Sequence, residues 1–249
     1  MPALADADEL CLRLYDQEWA EAARAGGMRF AGLVLNMRGY ERFIKSKLDT
    51  ATLLISCTES HSKANSGKSF DDALKETCSM IEMCKDAGIA TRGYASMAFG
   101  CPFEGDTDPA RVQAAVDAMN GAGADTIILA DTIGVAYPTQ VQLLGTAALQ
   151  SGIAADRLGL HMHDTYERAV DNCAEAVKLG FVHYDAAVGG LGGCPFAPGA
   201  AGNLATADLL HLLEDVSTPH SVLADPMNAA QSMLAEACER TLKNPFRAS

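Results

Sequence analysis

The sequence predicts an α/β fold with parallel strands, and it favours a TIM (β/α)8-type barrel among such folds. Apolar, strand-like runs alternate with amphipathic, helix-like stretches along the 249 residues, which is typical of a chain of βαβ units. Polar residues that can carry chemistry lie at or near the ends of at least three of these runs. A TIM barrel gathers such residues at one face, whereas a doubly wound sheet binds ligands at one crevice.

Six strands are predicted, at Ala31–Asn36, Thr52–Cys57, Ile89–Met97, Thr126–Asp131, Leu158–His163 and Val182–Val188. Amphipathic spacing predicts helices at Asp8–Ala25, Ser69–Ala87, Pro109–Ala122, Pro138–Ser151 and Glu167–Leu179. Eight strands close a barrel of this type, so six predict an incomplete barrel whose first and last strands are open edges. No linker-like composition interrupts the chain, and we therefore expect a single partial barrel domain over residues 1–249.

Composition excludes several classes of protein. The net charge of -13 argues against general nucleic-acid binding, and no apolar run reaches the length of a membrane span. The acidic start MPALADADEL does not resemble a secretion signal. Eight cysteines without a CxxC pair indicate a reducing compartment. We therefore expect a cytoplasmic protein without nucleic-acid or membrane partners.

The stretch LGLHMHDTYERA contains two histidines one residue apart. On a strand, residues two apart face the same side, so His161 and His163 point the same way and can hold one divalent metal. The alternative is one structural and one solvated histidine. Asp131 closes the fourth run, and Asp185 lies within the sixth.

A glycine-rich segment, GGLGGCPFAPG, follows the sixth run. Its single cysteine, Cys194, suggests a reactive thiol on a mobile loop, and a packing role is the alternative. The stretches HMHDTY and GGLGGCPFAPGAAGNLAT closely resemble the 3-hydroxy-3-methylglutaryl-CoA lyase family of TIM-barrel metallolyases. RGYASMAFGCPFEG and LADTIGVAYP also match, and the resemblance runs from about Leu4 to about Leu213.

The resemblance implies roles for individual residues. His161, His163 and Asn203 match metal ligands of the family, and the metal implied is Mg²⁺ or Mn²⁺. Asp131 matches an acidic residue needed for catalysis, and Cys194 matches the cysteine of the flexible lid. A nearby imidazole such as that of His161 can relay a proton. The implied reaction splits 3-hydroxy-3-methylglutaryl-CoA into acetoacetate and acetyl-CoA.

The chain also departs from the family pattern. The family carries an Arg-Asp pair on its first strand and a glutamate on its second, and no Arg-Asp dipeptide occurs here. Ala207 replaces a glutamate that often follows the NLAT stretch. These departures predict weakened binding of a hard cation and a poor or inactive lyase.

Two other functions remain open. A condensing synthase of the same superfamily shares the HxH pattern but lacks the GCP loop, and a non-catalytic barrel fragment is the third possibility. We expect a small acyl-CoA substrate and self-association into a homo-oligomer. Arg38, Lys63 and Lys68 are candidates to meet the CoA phosphates, and a solvated surface role is the alternative for each.

Overall fold

A computed structural model describes residues 5–193, 202–216 and 224–238. In these ranges the strands are β1 (Ala31–Val34), β2 (Thr50–Ser56), β3 (Ala90–Ser96), β4 (Thr126–Asp131), β5 (Leu158–Met162) and β6 (His183–Asp185). The helices are α1 (Ala7–Tyr15), α2 (Glu18–Ala25), α3 (Met37–Ser46), α4 (Glu59–Ser66), α5 (Phe70–Asp86), α6 (Pro109–Ala122), α7 (Pro138–Gln150), α8 (Ala169–Lys178), α9 (Thr206–Asp215) and α10 (Ala224–Ala237). Each predicted strand overlaps one observed strand.

The six strands form one parallel sheet in the order β1-β2-β3-β4-β5-β6. A doubly wound sheet reverses its order at a switch point, whereas the strands of a (β/α) barrel follow the chain. The observed order therefore agrees with the barrel prediction. In the described part of the chain, β1 and β6 are the terminal strands, as expected.

The chain groups into two compact units, Met1–Ala95 with Ala114–Ile127 and Ser96–Gln113 with Ile128–Ser249. The prediction of one domain over residues 1–249 stays a prediction. In the first unit α5 packs on β2, and the apolar side chains buried there include Leu53, Ile55, Met80 and Ile81. The hydroxyl of Ser69 caps α5 by accepting the N–H of Asp72 at 3.2 Å.

Strand β4 is buried at every position, as expected for a parallel strand that is covered on both faces. The alternate residues Leu158, Leu160 and Met162 of β5 are also buried. Helix α7 begins at Pro138, where the missing N–H costs nothing. These packed elements hold the ends of β4 and β5 in place.

The single predicted helix Asp8–Ala25 is wrong, because the chain forms α1 and α2 with a break at Asp16 and Gln17. Gln17 is extended and precedes the first turn of α2. The apolar residues behind the prediction, Leu10 and Leu12, are exposed. Residues two apart do not share a helix face, so their spacing cannot build one buried stripe.

None of the described helices combines the length and apolar character needed to cross a membrane. The described helices α3, α4, α9 and α10 have no counterpart among the predicted helices. Helix α3 carries a local start signal, because the Asn36 side chain accepts the N–H of Gly39 at 2.9 Å.

Candidate active site

The two histidines lie together at the end of β5. His161 belongs to the strand, His163 follows it directly, and their ring centroids are 5.4 Å apart. The N–H of His163 donates to the carbonyl of Asp131 at 3.1 Å, which ties this position to the end of β4. The strand alternation predicted from the sequence therefore brings both imidazoles to one place.

Asn203 joins this pair through a short antiparallel bridge with His163. The N–H of Leu204 donates to Met162 O at 2.9 Å, and the N–H of Asp164 donates to Gly202 O at 3.1 Å. These bonds flank His163 and Asn203, so the two form a non-hydrogen-bonded pair, the kind whose side chains lie closest. The chain that returns after the glycine-rich segment thus places Asn203 beside His163.

The environment of His163 keeps its ring neutral. The side chain is buried, and burial, followed by the nearby His161, lowers its pKa to about 4. A neutral imidazole retains a lone pair that can bind a cation. Both His163 Nδ1 and Asn203 Oδ1 are buried without a hydrogen-bond partner in the described ranges. Asn203 Nδ2 meanwhile donates to Leu191 O at 2.8 Å.

These two buried acceptors fit the metal that the family resemblance implies, since a cation would satisfy both. The candidate ligands are two imidazoles and one amide. Among the described residues, no group of three or more His, Cys, Asp or Glu side chains could hold a metal ion. The site residues 161, 163 and 203 therefore offer neutral donors, which bind hard cations more weakly than carboxylates do.

Asp131 is bound to a neighbouring loop. Its Oδ1 accepts the N–H of Val135 at 3.0 Å, and its Oδ2 accepts the N–H of Ala136 at 2.8 Å. Burial raises the pKa of the carboxyl, while these N–H groups and the charge of Arg168 oppose that rise. The carboxylate therefore shapes the loop after β4, and its catalytic role stays a prediction.

Arg168 is a residue that the sequence analysis missed. Its Nη1 donates to Val135 O at 3.3 Å and lies 3.5 Å from Ala136 O. The guanidinium also stacks on the ring of Tyr137, 3.9 Å from its centroid. Arg168 thus binds the same loop that Asp131 binds. A single arginine at the start of a helix gives no signal in the sequence for this role.

Asp185 is the second residue whose contact the sequence did not assign. Its Oδ2 lies 3.2 Å from His161 Nδ1. The sequence placed an acid in the sixth run, but only strand register shows that it meets this histidine.

The glycine-rich segment approaches Asn203 closely. Gly192 has a φ of +118°, and a Cβ built on it would lie 2.3 Å from Asn203 Nδ2. A Cβ on Gly202 would lie 1.9 Å from Gly190 O. A side chain at Gly202 would force the backbone to shift, and one at Gly192 would displace the Asn203 amide and strain a φ that L residues rarely adopt. Cys194 lies outside the described residues.

The three basic candidates for the CoA phosphates are distributed in the first unit. Lys63 pairs with Glu59 at 2.9 Å, and Lys68 pairs with Glu76. Lys68 and Glu76 also line a polar cavity of about 240 Å³. Arg38 is exposed on α3. The two lysine charges are therefore already balanced by glutamates, and phosphate binding by any of the three stays a prediction.

Comparison with known proteins identifies the family. The HMGL-like family model matches residues 20–233. A hydroxymethylglutaryl-CoA lyase of Bacillus subtilis is 34% identical over 86% of this chain and 71% of its own length. An (R)-citramalyl-CoA lyase of Chloroflexus aurantiacus is 34% identical over 97% of this chain and 77% of its own length.

Solved structures agree with this match. The Bacillus subtilis HMG-CoA lyase has a TM-score of 0.88 at 32% identity, covering 98% of this chain and 78% of that one. An Acinetobacter baumannii HMG-CoA lyase, solved with coenzyme A and 3-methylmalate, has a TM-score of 0.87 at 29% identity over 98% and 76%. These neighbours confirm the predicted TIM-barrel fold class. The chain belongs to the HMGL-like family, which confirms the resemblance inferred from its motifs.

Proposed function

We propose that the chain is a metal-dependent carbon–carbon lyase that cleaves 3-hydroxy-3-methylglutaryl-CoA into acetoacetate and acetyl-CoA. The observation that carries the proposal is the grouping of His161, His163 and Asn203, with two buried acceptors that lack partners. The lyase relatives at 34% identity support the reaction class. Mg²⁺ or Mn²⁺ is the proposed cation.

The reaction requires a proton to leave the C3 hydroxyl and another to reach C2. When bound, a divalent cation acidifies that hydroxyl and orients the C2–C3 bond. The bond breaks, its electron pair goes to C2 as the thioester enolate, and C3 becomes the ketone of acetoacetate. The hydroxyl proton is proposed to pass to solvent beside His161, because that ring is partly exposed while that of His163 is buried. His161 itself acts as a ligand, since a ring nitrogen that binds a cation has no lone pair left for the proton. Asp131 is proposed to act by holding the loop after β4.

A second substrate is citramalyl-CoA, which the relative from Chloroflexus aurantiacus cleaves according to its name. It differs from 3-hydroxy-3-methylglutaryl-CoA by one methylene between C3 and the distal carboxylate. One methylene in a pocket changes specificity by about 10- to 200-fold. Both substrates release acetyl-CoA, and the other product, acetoacetate or pyruvate, distinguishes them.

The experiment incubates the purified chain with each thioester, with and without added Mg²⁺ or Mn²⁺, and measures both products. We expect metal-dependent release of acetyl-CoA at a low rate, because no Arg-Asp dipeptide occurs in the sequence. Both release and Mn²⁺ binding should be lost in the double variant His161→Ala/His163→Ala. His211→Ala is the control, because this exposed histidine lies on α9. Condensation of acetyl-CoA with a keto acid, without cleavage of either thioester, would instead favour the synthase. If the chain neither cleaves nor condenses and binds no Mn²⁺, the result favours the non-catalytic fragment.

Cys194 is proposed to donate the proton that reaches C2. Thiol labelling of the native chain, read by mass spectrometry, should modify Cys194 before Cys173, since burial raises the pKa of the Cys173 thiol to about 12. Cys238 is exposed and serves as the positive control. Labelling of Cys173 before Cys194 would contradict a lid role. In any active form, Cys194→Ala should lower turnover more than Mn²⁺ affinity.

A further inference from the structure

Strand register brings Asp185 and His161 side by side. In the parallel pairing of β5 with β6, His161 is the register partner of Asp185. Register partners on neighbouring strands project to the same face of a sheet, so their side chains can meet. The Nδ1 to Oδ2 distance is 3.2 Å, and the side chains are 27% and 20% exposed. The pair is therefore shielded from most of the solvent that weakens a surface contact.

The chemistry of the pair fixes which ring nitrogen of His161 carries hydrogen. A carboxylate accepts hydrogen bonds, so of the two neutral tautomers of an imidazole it selects the one with hydrogen on Nδ1, which leaves the lone pair on Nε2. Histidines that bind metals commonly donate their second N–H to a carboxylate, which orients the ring and makes it a better ligand. His163 differs, because its Nδ1 has no hydrogen-bond partner in the described ranges.

We propose that Asp185 is a positioning residue that holds His161 as the Nδ1–H tautomer and aims its Nε2 at the cation. The inference rests on the proposed function, and it assigns a role that neither the motif spacing nor the family resemblance supplied. The carboxylate also adds a negative charge beside a site whose three ligands are neutral. Asp185 therefore strengthens cation binding through orientation and through charge.

The first measurement concerns the tautomer in the metal-free full-length chain. Long-range ¹H–¹⁵N NMR on chain labelled at histidine distinguishes Nδ1–H from Nε2–H, and His161→Gln identifies the signals of His161. We expect the Nδ1–H form in the unsubstituted chain and a shift towards Nε2–H in Asp185→Ala. Asp185→Asn should also lose the preference for Nδ1–H, because its amide can donate to Nδ1 as well as accept from it.

The second measurement is Mn²⁺ affinity by electron paramagnetic resonance titration. Asp185→Ala should weaken binding by about 10- to 100-fold. The affinity of Asp185→Asn should lie between that of Asp185→Ala and that of the unsubstituted chain. The control is Asp171→Asn, an exposed acid in the first turn of α8 that changes the net charge equally. Its affinity should match that of the unsubstituted chain. Thermal unfolding of each variant separates a loss of positioning from a loss of fold.

Three results would overturn the inference. One is a folded Asp185→Ala with unchanged tautomer and unchanged Mn²⁺ affinity. Another is lost affinity with an unchanged tautomer, which would make Asp185 a ligand itself. If Asp185→Ala does not fold, an unchanged tautomer together with unchanged Mn²⁺ affinity in Asp185→Asn overturns it equally. If the unsubstituted chain binds no Mn²⁺, the proposed metal centre fails, and the tautomer measurement still decides the role of Asp185.

Discussion

At the scale of single residues, buried histidines tune both the site and the stability of the chain. His61 is 3% exposed, and its Nδ1 shares a hydrogen bond of 2.7 Å with Ser56 Oγ at the end of β2. Burial lowers the pKa of His61 below the ordinary value of 6.5. The folded chain therefore keeps this ring neutral where the unfolded chain would protonate it.

This shift has a defined sign for stability. Because the pKa of His61 is lower in the folded chain, the unfolded chain binds more protons as the pH falls below about 6.5. The contribution of His61 to the free energy of unfolding is therefore highest above about pH 6.5 and decreases as the pH falls below that value. We expect His61→Gln, which can keep the bond to Ser56, to flatten the dependence of the free energy of unfolding on pH between about 7.5 and 5. His211→Gln is the matched control, because this side chain is 44% exposed. An unchanged slope in His61→Gln would contradict the buried neutral state.

At the scale of elements, the break between α1 and α2 accompanies contacts between residues that are far apart in the sequence. Arg24 Nε donates to both carboxylate oxygens of Asp49, at 3.2 and 3.1 Å. The guanidinium stacks on Tyr15 at 4.2 Å and on Phe30 at 4.5 Å from the ring centroids. A straight helix over both segments would carry Tyr15 away from Arg24, since residues nine apart are separated by about 13 Å of helix rise.

We expect Arg24→Ala to lower the free energy of unfolding by about 1.5–3 kcal/mol, the range for hydrogen bonds to charged groups. The matched control is Arg42→Ala, whose pair with Asp8 is 48% and 67% exposed, against 18% and 21% for Arg24 and Asp49. That change should cost less than about 1 kcal/mol. The only tryptophan, Trp19, contacts Phe30 edge-on and reports the transition by fluorescence. Equal losses in both variants would contradict the account.

The glycine-rich segment offers a second test at this scale. Gly192→Ala places a Cβ against Asn203 and demands a φ of +118°, which alanine rarely adopts. We expect this variant to lower Mn²⁺ affinity and the melting temperature. Gly193→Ala is the adjacent control, because its Cβ would meet nothing within 4 Å. Similar affinity in the two variants would show that Asn203 does not depend on this close approach.

At the scale of the whole molecule, the sheet ends at β1 and β6 in the described ranges, and apolar side chains accompany these ends. Leu33 is 59% exposed, Leu35 47% and Val182 57%. A terminal strand presents backbone groups that can pair with another chain. The exposed apolar residues at these strands are therefore a candidate surface for self-association, and the oligomeric state stays a prediction.

We expect sedimentation velocity to show self-association that increases with concentration, and Leu33→Lys to weaken it by placing a charge on the terminal strand. Leu143→Lys is the control, because Leu143 is 56% exposed on α7 and adds the same charge. A monomer at all concentrations, or equal effects of the two lysines, would contradict association through β1.

Local signals in the sequence were sufficient to predict the bounds of some elements and not those of others. The predicted bounds of β4 and α6 match the structure, because a continuous apolar run and an initial proline mark them. The observed β6 has three residues and is shorter than predicted, since its apolar run continues into the glycine-rich segment. Asn203 came only from family resemblance, and Asp185 required strand register, which no spacing along one chain contains. Contacts between elements therefore limited the prediction of the site.

The antiparallel bridge between His163 and Asn203 also bears on how this family can diversify. Because backbone bonds on both sides of the pair set its register, the distance between the two ligands does not depend on how many residues connect Gly193 to Gly202. A change in the length of that connection would leave the spacing of His163 and Asn203 unchanged. A slip of one residue in the bridge would instead set Leu204 or Gly202 opposite His163 and remove the amide ligand. The length of the connection is therefore free to vary, whereas the bridge keeps Asn203 beside His163 in only one register.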